Sequence, residues 1–213
     1  KMDWLTMLGK RILPHGYWGT LGSATAEKER HLHLTFDDGP IPETTPALLD
    51  LLDEEQVKAT FFILGCRAQR YPELVAEIAK RGHTIGNHSF NHLFMPMMST
   101  KKIEHEIDAT NQSIKDATGS EPLLFRPPFG LIDHRAAAYL KERKMKMVYW
   151  SAVSEDWHGI GERRVISRTM QRLAHGALIV LHEGRAISKQ TLSASREIIK
   201  RSKVKGFRFE QIS

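Results

Sequence analysis

Short apolar runs alternate with amphipathic segments along most of the chain. The runs at residues 31–36, 59–64, 83–86, 123–125, 145–150, 177–181 and 207–209 predict strands, since they are brief and rich in apolar or β-favouring residues. Between them apolar positions recur at helical spacing over residues 44–55, 72–81, 99–118, 134–144, 162–174 and 193–202. In the first of these helices Leu48, Leu49, Leu51 and Leu52 form the buried side; in the third, Ile103, Ile107, Asn111 and Ile114 lie near one face. Pro72 sits near a first helical turn, while Gly82 and Gly119 stand where helices stop. Ahead of the first strand, Trp4, Leu5, Leu8, Ile12 and Leu13 predict a short amphipathic helix before Pro14, and residues 16–26 read as loop. Residues 1–30 are therefore expected to be an irregular extension, and residues 31–213 the folded domain.

Strand and helix alternate six or seven times, which implies a parallel α/β sheet covered by helices. An open sheet and a barrel give similar patterns. Asp37, His88, Arg126, Asp156 and His182 all fall at or just beyond predicted strand ends, and that placement favours a barrel, whose sites gather at the C-terminal ends of strands.

Composition changes this picture little. The 213 residues suit one domain, with 41% hydrophobic and 26% charged residues. The net charge of +6 is spread along the chain and carries no nucleic-acid-binding signature, so no nucleic-acid partner is expected. Cys66 is the only cysteine, which excludes an internal disulfide and reads as core filler. No apolar run reaches the length of a membrane span, and no export signal is visible. Membrane contact is expected only through a segment N-terminal to these residues, and the protein is expected to be a monomer.

The candidate chemistry begins where the first strand ends, in the adjacent carboxylates Asp37 and Asp38 followed by Gly39-Pro40. Neighbouring like charges oppose each other's ionisation, so a shared cation or proton makes the pair easier to tolerate. Fifty residues on, His88 and His92 place two imidazoles four apart. Asp38, His88 and His92 are the expected ligands of a divalent metal. Zinc suits this donor set, and cobalt, nickel, iron or manganese would also be accepted. Asp37 is then either a general base or merely a turn cap. Arg126 is a clamp on Asp37 or a surface arginine, and the rigid Pro127-Pro128 turn after it could aim the Phe129 N–H at a developing oxyanion. Trp157 is a sugar-facing wall or core. His182 is a general acid held protonated by Asp156, or a core histidine bonded to backbone. His31 and His33 are expected to point away from the core, His83 to end a connection, and residues 95–98 to be packing or a lid.

These residues resemble the polysaccharide deacetylase family, the NodB-homology carbohydrate esterases (carbohydrate esterase family 4). The resemblance spans about residues 32–212 and rests on five motifs: residues 35–40 (TFDDGP), residues 88–92 (HSFNH) preceded by residues 82–87 (GHTIGN), residues 126–130 (RPPFG), Asp156-Trp157, and residues 179–183 (IVLHE). It implies a distorted (β/α)7 barrel. It assigns Asp37 as base, Asp38, His88 and His92 as metal ligands, Arg126 as the residue orienting Asp37, and Asp156 as the partner of the acid His182. Phe129, Trp157 and Val180 would bind substrate. The third motif often has tyrosine where Phe129 stands, and leucine and aspartate are common where this chain has Val180 and Glu183. The implied activity is metal-dependent hydrolysis of N-acetyl groups on N-acetylglucosamine-containing glycans, peptidoglycan or chitin-like, with release of acetate. O-acetyl ester hydrolysis and glycan binding without turnover are the alternatives. The implied location is extracellular, periplasmic or associated with the cell wall.

Overall fold

β1 (Arg30–Asp37) sets the frame of the computed structural model, which describes residues 30–212. Side chains along a strand alternate between faces. Leu32, Leu34 and Phe36 join the apolar cluster beneath the helices, leaving His33, Thr35 and Asp37 for the opposite face; all six are buried. One strand thus gives an apolar outer row and a polar inner column.

The chain continues through α1 (Thr45–Glu54), β2 (Thr60–Ile63), α2 (Gly65–Arg70), α3 (Pro72–Lys80), β3 (Thr84–Asn87), α4 (Thr100–Thr118), β4 (Leu124–Phe125) and α5 (His134–Glu142). It ends with β5 (Lys146–Met147), β6 (Ala152–Val153), α6 (Glu162–Met170), β7 (Ala177–His182), α7 (Ser188–Val204) and β8 (Phe207–Phe209). The strands follow the order β5-β4-β3-β2-β1-β7-β6, all pairings are parallel, and β8 adds to the start of β1. The sheet curls with helices on its outer face, giving the expected distorted (β/α) barrel. Among the described residues its wall has seven strands, and no pairing joins β5 to β6.

The two faces of the sheet have separate cores. The outer cluster joins β1, β2 and β7 to α1, α3, α6 and α7 through residues such as Leu48, Leu52, Ile78, Ile179, Ile198 and Ile199. A smaller group, Phe62, Leu124, Val148, Leu178 and Ile212, fills the other face. Local signals fix helix ends. Ser99 caps α4 by accepting from Lys102 N, Gly119 ends it at φ 79°, and Asp133 caps α5 by accepting from Arg135 N and Ala136 N.

Several expectations change. The strand expected over residues 145–150 forms only at Lys146–Met147, with Val148 N still donating to Phe125 O, and a second short strand follows at Ala152–Val153. The carbonyls of Val148 and Tyr149 accept from the Arg126 guanidinium instead of extending a ladder. α2 gave no periodic signal because it is barely more than one turn, and α7 begins earlier than expected, at Ser188. His33 is buried, not turned away from the core: β1's alternation puts it on the inner face, with Nδ1 bonded to Glu210 O at 3.0 Å. His83 is buried too, its Nδ1 accepting from Ala59 N. Met95 packs in the α4–α5 core while Met97 stands exposed. No helix among the described residues is long and apolar enough to cross a membrane. The helix expected before Pro14 lies outside the described residues.

Candidate active site

Sheet register assembles the site. Asp37 on β1 lies opposite His182 on β7 and Phe62 on β2, and Asn87 on β3 lies opposite Phe125 on β4. Just past these strand ends, His88 N donates to Ile63 O, Arg126 N to Asn87 O, and Glu183 N to Asp37 O. The strands therefore deliver Asp37, Asp38, His88, Arg126 and His182 to one end of the barrel, although up to 145 positions separate them in sequence.

Asp38, His88 and His92 form a group whose ligand atoms all lie within 4.8 Å of one another. Asp38 Oδ1 is 3.6 Å from His88 Nε2 and 3.5 Å from His92 Nε2. That oxygen is buried with no hydrogen-bond donor among the described residues, which suits a metal ligand. His88 Nδ1 lies 2.7 Å from Arg126 O. A carbonyl only accepts, so the proton sits on Nδ1 and the lone pair on Nε2 faces the group. Burial pushes the His88 pKa down to about 3, against the pull of Asp38, so the ring is neutral as ligation requires. Asp38, Ser89 and His92 have φ of 72°, 65° and 55°, a left-handed conformation unusual for non-glycine residues and typical of functional loops. The donor set fits a divalent metal.

Beside this group, Asp37 is 2% exposed. Its Oδ1 accepts from Arg126 Nη1 at 2.6 Å, and its Oδ2 lies 3.9 Å from His88 Nε2. Arg126 is fully buried, not a surface residue. It also donates to Thr35 Oγ1, Val148 O and Tyr149 O, and stacks on Phe62 with 4.0 Å from guanidinium carbon to ring centroid. Burial pushes the Arg126 pKa down from its ordinary value, and the Asp37 charge opposes that.

Across the β1–β7 pair, Asp156 holds His182 twice. Its Oδ2 accepts from His182 N at 2.7 Å, and its Oδ1 lies 2.9 Å from His182 Nδ1. Burial alone would lower the His182 pKa. The hydrogen bond and charge of Asp156, with smaller contributions from Asp37 and Asp38, outweigh it and raise the pKa to about 9. With Nδ1 engaged, Nε2 is the ring nitrogen left to serve a substrate. Trp157 is 44% exposed, with its ring 4.9 Å from that of His182, so it lines a surface and is not core. Phe129 is also exposed, sits at φ 58°, and packs 4.7 Å from His92. Gly130 follows at φ 67°, where a Cβ would come within 2.6 Å of Trp150, so this turn requires glycine.

Residues 24–148 match the family described as polysaccharide deacetylase. This chain belongs to that family. It is 36% identical to a peptidoglycan-N-acetylglucosamine deacetylase of Bacillus cereus, over 97% of this chain and 96% of that protein. It is 34% identical to the peptidoglycan-N-acetylmuramic acid deacetylase PdaC of Bacillus subtilis over 87% of this chain, which spans only 38% of that longer protein. Among solved structures, the Bc1960 peptidoglycan N-acetylglucosamine deacetylase in complex with 4-naphthalen-1-yl-N-oxidanyl-benzamide superposes with a TM-score of 0.87. Sequence identity there is 29%, covering 95% of this chain and 94% of that one.

Two further residues, Val180 and Glu183, sit close to the site. Val180 is buried on β7, paired with Val153 and Thr35 and two residues from His182. Glu183 is buried behind the Asp37-Asp38 turn: its Oε2 accepts from Thr45 Oγ1 at 2.5 Å, and its Oε1 has no hydrogen-bond partner among the described residues. Thr45 in turn accepts from Ile41 N. A Cβ on Gly39 would come within 1.9 Å of Glu183 Oε1, so glycine here makes room for the longer acid.

Burial raises the Glu183 pKa to about 8 from 4.5, more than the Thr45 hydrogen bond lowers it. The folded protein then keeps a proton that the unfolded chain releases, and stability falls as pH rises from 4.5 towards 8. Glu183→Gln should remove that slope and stabilise the fold at pH 8 by a few kcal/mol. Urea unfolding of both proteins at pH 5 and pH 8 checks it; equal pH dependence would contradict the buried neutral acid.

Sequence reasoning missed Thr35, Thr45 and Glu106, which bond to Arg126, Glu183 and the loop over residues 88–92. The one available signal was Glu106, a charge on the apolar face of an amphipathic helix.

Proposed function

We propose that this polysaccharide deacetylase removes N-acetyl groups from N-acetylglucosamine-containing glycans of the peptidoglycan or chitin type, outside the cytoplasm, with zinc as its metal. The observation that carries the reading is the flanking of one metal-competent group by two opposed proton-transfer pairs, Asp37–Arg126 and His182–Asp156, on neighbouring strands.

Asp38, His88 and His92 would hold the metal. When bound, it would polarise the acetamide carbonyl and acidify water. Asp37 Oδ2 takes the proton of the attacking water, while Arg126 fixes Oδ1. The Phe129 N–H donates to the oxyanion as the carbonyl carbon becomes tetrahedral. The C–N bond then breaks, and His182 Nε2 protonates the leaving nitrogen, giving acetate and a free amino sugar. Phe129, Trp157 and Val180 bound the sugar and acetyl group. Relatives named for N-acetylglucosamine and for N-acetylmuramic acid match at 36% and 34% identity. The choice of sugar therefore belongs to rim residues such as Phe129 and Trp157, not to the shared centre.

The test is acetate release from N-acetylated chitooligosaccharides and from peptidoglycan fragments, using metal-stripped protein with and without zinc. We expect no release without metal, restoration by zinc, and amino-sugar product equal to acetate. Folded, zinc-loaded protein that releases acetate from neither substrate would overturn the reading.

A further inference from the structure

The two imidazoles of the metal-competent group are held unequally. His88 is anchored by the sheet: its N–H donates to Ile63 O, and its ring bonds to Arg126 O. His92 lies five residues past the end of β3. Its N–H donates to Ser89 Oγ at 3.1 Å, its φ is 55°, and its side chain is 29% exposed. Its position therefore depends on the turn between the two histidines.

That turn is tied to α4 by one carboxylate. Glu106 is 1% exposed, the acidic residue on a helix face otherwise made of Ile103, Ile107, Thr110, Asn111 and Ile114. Its Oε2 accepts from Phe90 N at 2.9 Å and Asn91 N at 2.7 Å, and its Oε1 accepts from Asn91 Nδ2 at 2.8 Å. All three donors belong to the middle of the loop. Turning two consecutive N–H groups inward onto one oxygen fixes the direction in which the chain leaves Asn91, and so where the next residue, His92, presents its ring. A buried carboxylate is an expensive way to hold a turn unless all its acceptor sites are used, and here its hydrogen bonds go to this loop.

We propose that Glu106 is a positioning residue that sets His92 for metal binding. The inference rests on the reading of Asp38, His88 and His92 as a divalent metal site. Glu106→Gln keeps the size but removes the charge from the hydrogen bonds to Phe90 N and Asn91 N, and its NH2 group meets the Asn91 side chain only if that amide reverses, so the tether on the turn weakens. Partners that orient a metal ligand are commonly worth about 10–100-fold in metal affinity.

The experiment is zinc titration of metal-free protein against a chelating indicator, for wild type, Glu106→Gln, Asn91→Ala and His92→Ala, with thermal unfolding of each metal-free protein alongside. We expect Glu106→Gln to raise the zinc Kd by about 10–100-fold and Asn91→Ala to raise it less. Saturating zinc should return most of the wild-type acetate release to Glu106→Gln. Folded Glu106→Gln with wild-type zinc affinity would overturn the proposal, even if its melting temperature fell, because that would be a purely structural role. If Glu106→Gln does not fold, unchanged affinity in Asn91→Ala overturns it instead. Wild-type protein that binds no zinc, or binds it equally in His92→Ala, overturns the metal reading itself. Zinc binding lost in His92→Ala but intact in Glu106→Gln overturns only the role of Glu106.

Discussion

Asp37→Asn is expected to lower acetate release by about 100- to 10,000-fold while zinc stays bound. The expectation follows from the division of labour between adjacent carboxylates. Asp38 belongs to the three-residue ligand group and Asp37 does not. Asp37 instead spends Oδ1 on Arg126 and keeps Oδ2 3.9 Å from His88 Nε2, beside the place where water would be activated. An amide at this position can still accept from Arg126 but cannot take a proton. The same change leaves a fully buried guanidinium without its counter-charge, which typically costs about 3–5 kcal/mol. Reduced denaturant stability should therefore accompany the lost rate, with the retained Asn–Arg hydrogen bond keeping the loss near the lower end. Metal analysis, urea unfolding and initial rates on one preparation check all three points. A full rate in zinc-loaded Asp37→Asn would remove Asp37 as the base.

The residues that sequence pattern exposed share one property: each is a polar group where an apolar strand ends. Asp37, Asp38, His88, Arg126 and His182 each stand just before or after the last pairing of a strand, so parallel register alone brings them together. Their supports were hidden for a different reason. Thr35 looks like any β-favouring residue, and only the fold places its hydroxyl 2.7 Å from Arg126 Nη1. Glu183 and Thr45 are 138 positions apart and meet because β7 lies beside β1. The division of residues 145–150 was hidden as well. The apolar run suggested one strand, but the sheet yields the Val148 and Tyr149 carbonyls to a guanidinium that arrives from β4. Periodicity reports which face a residue occupies, and it is silent on which buried donor will compete for a strand's carbonyls.

Asp156→Asn should move the alkaline limb of the acetate-release profile to lower pH and reduce the rate at pH 8 by about 100-fold or more. In the wild type, His182 has a pKa of about 9 because Asp156 overcomes burial, so roughly nine-tenths of the rings carry the acid proton at pH 8. Asp37 and Asp38 also raise that pKa, and a metal held by Asp38, His88 and His92 would offset them, which would leave Asp156 as the main group favouring the charged ring. Without it, burial governs and the pKa falls well below its wild-type value, so far fewer rings are protonated at pH 8. The asparagine also no longer fixes the ring's orientation with a charge, which is why the rate should not recover fully even at lower pH. Stability gives an independent reading on metal-free protein. A histidine whose pKa rises on folding stabilises the fold fully below 6.5, and loses that contribution as pH climbs through 9. A shift of this size corresponds to about 3 kcal/mol. Wild type should therefore lose that amount between pH 6 and pH 9.5 relative to Asp156→Asn in urea unfolding. An unmoved alkaline limb together with matching stability profiles would mean that the proton reaching the amino sugar does not come from His182.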